Sequence, residues 1–139
     1  MDTAAATHLA AVLNSQQASI CTHVATRLIR TFPEILRTLR LEEAHSPAAR
    51  LSKVAVEQLN VLVRAMLQFE VFSIADHEID WAAGVLPRSG VTSEYQMAMV
   101  RWFFEEVRRL DLSASEVMLA REIEHYLLNQ IRQSYQTCN

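Results

Sequence analysis

An all-α fold is the expectation for this chain, and three features carry it. Glycine occurs twice and proline three times in 139 residues, where glycine alone usually supplies about 7 %, so the turn chemistry of a β-sandwich is missing. Apolar residues recur at spacings of three and four rather than two. Serine, asparagine or proline stands where most of these stripes begin, as helix starts favour. Half of the residues are apolar and 21 % are charged, which excludes a disordered or collagen-like chain. A mass of 15.8 kDa fits one core, so residues 1–139 are read as a single helical domain.

A leading helical turn comes first. Asn14 with Gln17 three residues on reads as a cap that opens a helix over about 15–31, with Ile20, Cys21, Val24, Leu28 and Phe32 on its apolar line. Pro33 begins a short helix carrying Ile35, Leu36, Leu39 and Leu41, which fails near His45. Ser46-Pro47 supplies an N-cap and a first-turn proline for a long helix. Its stripe is Leu51, Ala55, Leu59, Leu62, Met66 and Phe69. Val54, Val61, Val63 and Leu67 make the other faces apolar as well, which places this helix at the centre. Ser73 precedes a shorter helix over 74–85, closed by a turn containing Pro87 and Gly90. Ser93 with Gln96, and Ser113 with Glu116, match the capping box and open two long final helices, over 94–110 and 114–135.

These last two helices carry unusually wide apolar arcs. The first presents Tyr95, Met99, Trp102, Phe103, Val107 and Leu110, and the second Leu119, Ala120, Ile123, Leu127, Leu128 and Ile131. A helix packed on one core needs an arc of roughly 100° or a little more. The excess predicts a second buried surface, a twofold dimer with Met99, Trp102, Phe103, Leu127 and Ile131 at its interface. The competing expectation is that both helices are covered inside one chain.

Charge and punctuation bound the function classes. The net charge of −3 and pI near 5.9 argue against nucleic acid as a partner. All the basic residues but Lys53 are arginine, scattered as befits ion pairs on helix surfaces. No apolar run reaches membrane-spanning length, and the opening Met1-Asp2-Thr3-Ala4 lacks the character of a signal peptide, so the cytoplasm is the expected location. Cys21 and Cys138 fit a reduced compartment and have no metal-type spacing.

Catalytic chemistry finds little to work with. Glu42-x-x-His45 and Glu122-x-x-His125 reproduce the paired unit of di-iron bundles, but the first helix has no carboxylate to complete such a site. Cys21 belongs to an apolar face and His23 to another, so they do not form a thiolate–base pair. Phosphate loops and nucleophile elbows are absent. The most suggestive local pattern is His77, Trp81 and Gly84, which share one edge of a helix. It predicts either a small-molecule pocket lined by Met66, Phe69, His77 and Trp81, with His77 as polar handle or haem ligand, or simply a core tryptophan, with Gly84 allowing close helix approach and His77 looking out beside Asp80.

Three stretches carry a resemblance. The segment Leu9 to Gln17, the turn Gly90-Val91-Thr92-Ser93 leading into Ala98-Met99-Val100-Arg101-Trp102-Phe103-Phe104, and Ser115-Glu116 leading to Ile131-Arg132-Gln133-Ser134-Tyr135 resemble the non-haem globin domain at the N-terminus of RsbR-type stressosome regulators. The helix order is similar to that of bacterial sensor globins. Haem-binding members of that group carry a proximal histidine just before a Gly-Val or Gly-Leu pair, and Leu86 falls there in this chain. Leucine has no lone pair for iron. The resemblance therefore implies a haem-free, non-enzymatic globin-like domain for sensing or stress regulation, without a cofactor, acting through homodimerisation and a signalling protein partner. The alternative it leaves is a haem- or apolar-ligand-binding sensor using the His77/Trp81 region.

Overall fold

A computed structural model describes residues 1–137; Cys138 lies outside the described residues. Among the described residues all regular structure is helical. The elements are α1 (Thr3–Ser15), α2 (Gln17–Thr31), α3 (Ile35–Thr38), α4 (Pro47–Leu51), α5 (Glu57–Phe69), α6 (Asp76–Val85), α7 (Ser93–Arg108) and α8 (Ala114–Thr137). The expected all-α bundle with two long C-terminal helices is thus the fold. The buried side chains form one contiguous apolar cluster drawn from every α-helix.

α7 and α8 pack on each other as a hairpin, and the rest is arranged around it: α2 lies on α7, α6 on α8, and α1 against α5 and α8. The hairpin's start signal is the clearest local feature of the chain. The Glu116 amide donates to Ser113 Oγ at 3.2 Å, and the Ser113 amide donates to Glu116 Oε1 at 3.2 Å. This is the predicted capping box, satisfying two backbone donors reciprocally.

The other three expected capping arrangements differ, Ser46 preceding Pro47 at the start of α4 without a side-chain cap bond. α1 is a full helix rather than a single turn: Asp2 accepts from the Ala5 amide at 3.1 Å, and Ala5, Ala6, Leu9, Ala10 and Leu13 enter the core. α2 begins after one residue, Gln16, with no side-chain cap. Asn14 and Gln17, read from sequence as that cap, are drawn to Arg64 instead. Ser93 is the first residue of α7, and its preceding residue Thr92 makes no side-chain cap bond.

The long helix over residues 47–69 is continuous, but the segment Ser52–Val56 within it is π-helical. Upstream the core residue is Leu51; downstream the buried line becomes Val56, Leu59, Val63, Met66 and Leu67. A π turn absorbs one extra residue, rotating the downstream turns by about the 100° that one residue subtends. The strict stripe read from the sequence ends at Phe69, whereas the rotated face ends at Leu67. Phe69 is consequently 66 % exposed, and Val54 and Val61 also face outward. The helix is therefore not buried on all sides as expected.

Candidate functional site

The segment from Phe69 to Val85 is where the sequence placed a pocket, and the structure opens it to solvent. Glu70 adopts φ 54, a left-handed residue that ends α5. Phe72–Ala75 forms a 3-10 turn that leads directly into α6. α6 is held on α8 by its acidic side: Tyr126 Oη donates to Asp76 Oδ1 at 2.6 Å, and Ser134 Oγ donates to Asp80. The hydrogen bond to Asp76, with some help from burial, pushes the Tyr126 phenol up to about 12. Phe72 completes the seam by meeting the Tyr126 ring edge-on at 5.5 Å.

With that side used, the opposite edge faces out. Of the four residues expected to line a pocket, only Met66 is enclosed, at 0 % exposure in the core; Trp81 is 58 % exposed, and Phe69 and His77 are also exposed. These four do not converge. Trp81 is neither the core residue nor the pocket wall anticipated for it. Trp81 and Val85, four residues apart, share one face of α6; both are exposed, as are Ile74 in the 3-10 turn before α6, Phe69 and Val71. A Cβ built on Gly84 would meet nothing within 4 Å. No sequence signal shows that Ile74 and Val85 join Trp81 at this edge, because periodicity is the same whichever way a helix is turned.

Of the five residues expected at a dimer interface, three are buried inside the chain and Met99 and Trp102 are half-buried. Phe103 and Leu127 are 0 % and 1 % exposed, and Ile131 is buried with them. Trp102 stacks on Phe32 with ring centroids 6.0 Å apart, and the Arg27 guanidinium lies 4.3 Å from its centroid on a cation–π contact. Arg27 also pairs with Glu105. Met99 lines a small cavity. Much of the wide arcs of α7 and α8 packs within the chain on α1, α2 and α6, while Tyr95, Met99, Trp102, Leu110 and Leu128 stay half-buried.

That cavity, about 50 Å³, lies among Leu28, Ile35, Leu39, Leu51, Ala55, Val91, Tyr95, Gln96 and Met99. A water takes a share of roughly 30 Å³ in the liquid, so the space admits a group of that order and no porphyrin. No histidine borders it, and the Tyr95 hydroxyl is committed to Glu34 Oε1 at 2.6 Å. Neither the cavity nor the exposed His77 fits haem.

Three further clusters bear on chemistry. Asn60, fully buried, donates to the Leu13 carbonyl at 3.3 Å and accepts from Arg64 Nε at 2.9 Å. Arg64 reaches Asn14 and Gln17, and Gln17 donates to Glu57 at 3.2 Å. This network ties the α1–α2 junction to α5. Sequence reading missed it, although an asparagine and an arginine four residues apart inside an apolar helix are its signal. Beside it, burial raises the Cys21 thiol to about 12, Glu57 adding to the effect and Arg64 opposing it. Cys21 is therefore a buried core thiol. His23 lies 3.5 Å from Glu106, on a different face. Glu42, His45, Glu122 and His125 do not gather into a site: among the described residues no three His, Cys, Asp or Glu side chains are grouped to hold a metal. No described helix is long and apolar enough to cross a membrane.

Compared with known proteins, the chain matches no protein-family model, no curated protein and no solved structure.

Proposed function

We propose that this chain is a haem-free, globin-like regulatory domain of the cytoplasm, without catalysis of its own, that works by protein contact. Its helix order and the three stretches that resemble RsbR-type domains support the globin-like part. The observation that carries the reading is the outward apolar edge of α6 and its approach, with Phe69 and Trp81 well over half exposed. Large exposed apolar patches on otherwise well-packed chains mark interaction sites. The contact surface in this reading is α6 rather than the α7–α8 pair, whose apolar arcs pack in large part on α1, α2 and α6. The haem- or apolar-ligand alternative draws less support, because His77 and Trp81 line no enclosed space.

The test has two arms. Hemin added to purified wild-type and His77→Ala protein should give no Soret band that depends on His77; a band lost in the variant would replace this reading with a haem sensor. In the host cell, Phe69→Glu/Trp81→Glu protein, folded and at normal abundance, should reproduce the transcript changes of a deletion. Wild-type behaviour of that double variant would contradict the reading.

A further inference from the structure

From the α6 edge we infer the chemistry of the partner: a cationic amphipathic helix, laid along α6 with its apolar side on Trp81 and its basic flanks toward the acidic margin. This rests on the regulatory reading above. Three independent observations specify the occupant.

The first is charge. Between Arg64 and Arg88 the chain has no lysine or arginine, while Glu70, Asp76, Glu78 and Asp80 all fall there. Asp76 and Asp80 are bonded to neutral hydroxyls of α8, and Glu70 accepts from Thr3 Oγ1 at 2.8 Å. None of these bonds brings a compensating cation: Asp76 and Asp80 stay negative along the α8 seam, and Glu78 is exposed on α6 itself, so the helix that carries the apolar edge bears uncancelled negative charge. A second copy would bring the same acidic border against this one, and an anionic lipid surface would be repelled. A basic helix is attracted.

The second is area. Phe69, Val71, Ile74, Trp81 and Val85 together leave on the order of 500 Å² exposed along α6 and the segment leading into it. That is short of the roughly 800 Å² per partner that stable protein pairs bury, but is enough for one face of a short helix.

The third is Gly84. Glycine inside a helix is less favourable than alanine. Its φ is not positive, so no turn requires it, and among the described residues nothing fills the space beside it, since a Cβ there meets nothing within 4 Å. The gap lies one helical turn from the exposed Trp81. A notch beside a large ring is the relief into which a second helix sets its ridge. A helix face also has its backbone groups paired internally, which leaves a strand nothing to join.

The experiment titrates the full chain with a designed leucine/lysine amphipathic helix of about five turns, and with its leucine/glutamate counterpart, following tryptophan emission in a Trp102→Phe background. The lysine peptide should bind, more weakly as salt rises, and the glutamate peptide should bind at least about a hundredfold more weakly. Trp81→Ala, read by calorimetry, should weaken the lysine peptide about tenfold or more. Gly84→Leu should do the same while leaving the unfolding midpoint unchanged or higher, which separates a blocked notch from a damaged fold. Equal affinity for both peptides, or indifference to Trp81→Ala and Gly84→Leu, would overturn the inference. So would self-association at micromolar concentration lost in Trp81→Glu, or binding to phosphatidylglycerol vesicles in preference to the lysine peptide. Any of these with the host-cell result intact would sink the partner chemistry alone; a wild-type response from Phe69→Glu/Trp81→Glu would sink the regulatory reading itself.

Discussion

Asn60 shows how much a single buried amide can hold. Its carboxamide is sealed from water, satisfies the Leu13 carbonyl near the end of α1, and orients Arg64 toward Asn14 and Gln17. Truncation leaves a buried carbonyl and a guanidinium short of partners, and each lost partner costs about 1–3 kcal/mol. Asn60→Ala should therefore lower the unfolding free energy by about that amount or more in urea titration, with Arg64→Ala overlapping it rather than adding fully. A loss under about 0.5 kcal/mol would mean that the network is incidental. At this scale the sequence was legible where one residue had one role. Cys21 fell on the apolar line and is buried. Asn14 and Gln17 were not legible, since a local cap and a distant arginine compete for the same side chains, and only the fold brings the arginine near.

At the level of elements, the capping box of α8 was readable because it is purely local, while the π turn was not, because no residue type demands one. Its consequence is large: the rotated face downstream explains why Phe69 leaves the core line predicted for it. If the turn is an accommodated extra residue, deleting Val54, which is exposed, should convert residues 47–69 to regular α-helix. The core would keep its register and the cost should stay within about 1 kcal/mol. Deleting Val61 from the regular part should rotate buried side chains outward and abolish cooperative unfolding. Thermal melts of the two deletions distinguish these outcomes.

The start of α8 also sets an acid limit on stability. Burial by itself raises the Glu116 carboxyl, but the bonds from His8 at 2.6 Å and from Ser113 outweigh it and leave the group below its ordinary value. An acid whose folded value is depressed stabilises the fold above its unfolded value, ~4.3 for glutamate, and that contribution disappears as pH falls through the folded value. Glu116→Gln keeps a capping side chain but cannot titrate. Its unfolding midpoint should therefore fall less steeply than that of the wild type as pH drops below the ordinary carboxylate range. Parallel pH profiles would show that Glu116 makes no such contribution.

For the whole molecule, the helical class and the paired long helices came from composition and spacing, because both are set by periodicity. Which apolar arcs face the chain's own core was not readable, since a wheel gives the width of a face but not what covers it. The arcs of α7 and α8 went in large part to α1, α2 and α6, and an exposed apolar edge was left on the shorter α6. Phe103→Ala should accordingly act as a core cavity, costing about 3–5 kcal/mol without changing the sedimentation coefficient of the folded protein. A change in assembly state would restore the α7–α8 interface that the sequence suggested.

The central claim is that the α6 edge stands open on the free protein. The emission of Trp81 in the Trp102→Phe variant measures this most directly. An open edge predicts red, water-like emission quenched freely by acrylamide and unchanged on dilution. Blue-shifted, protected emission would show that the chain or its own copy already covers Trp81, and would contradict the account.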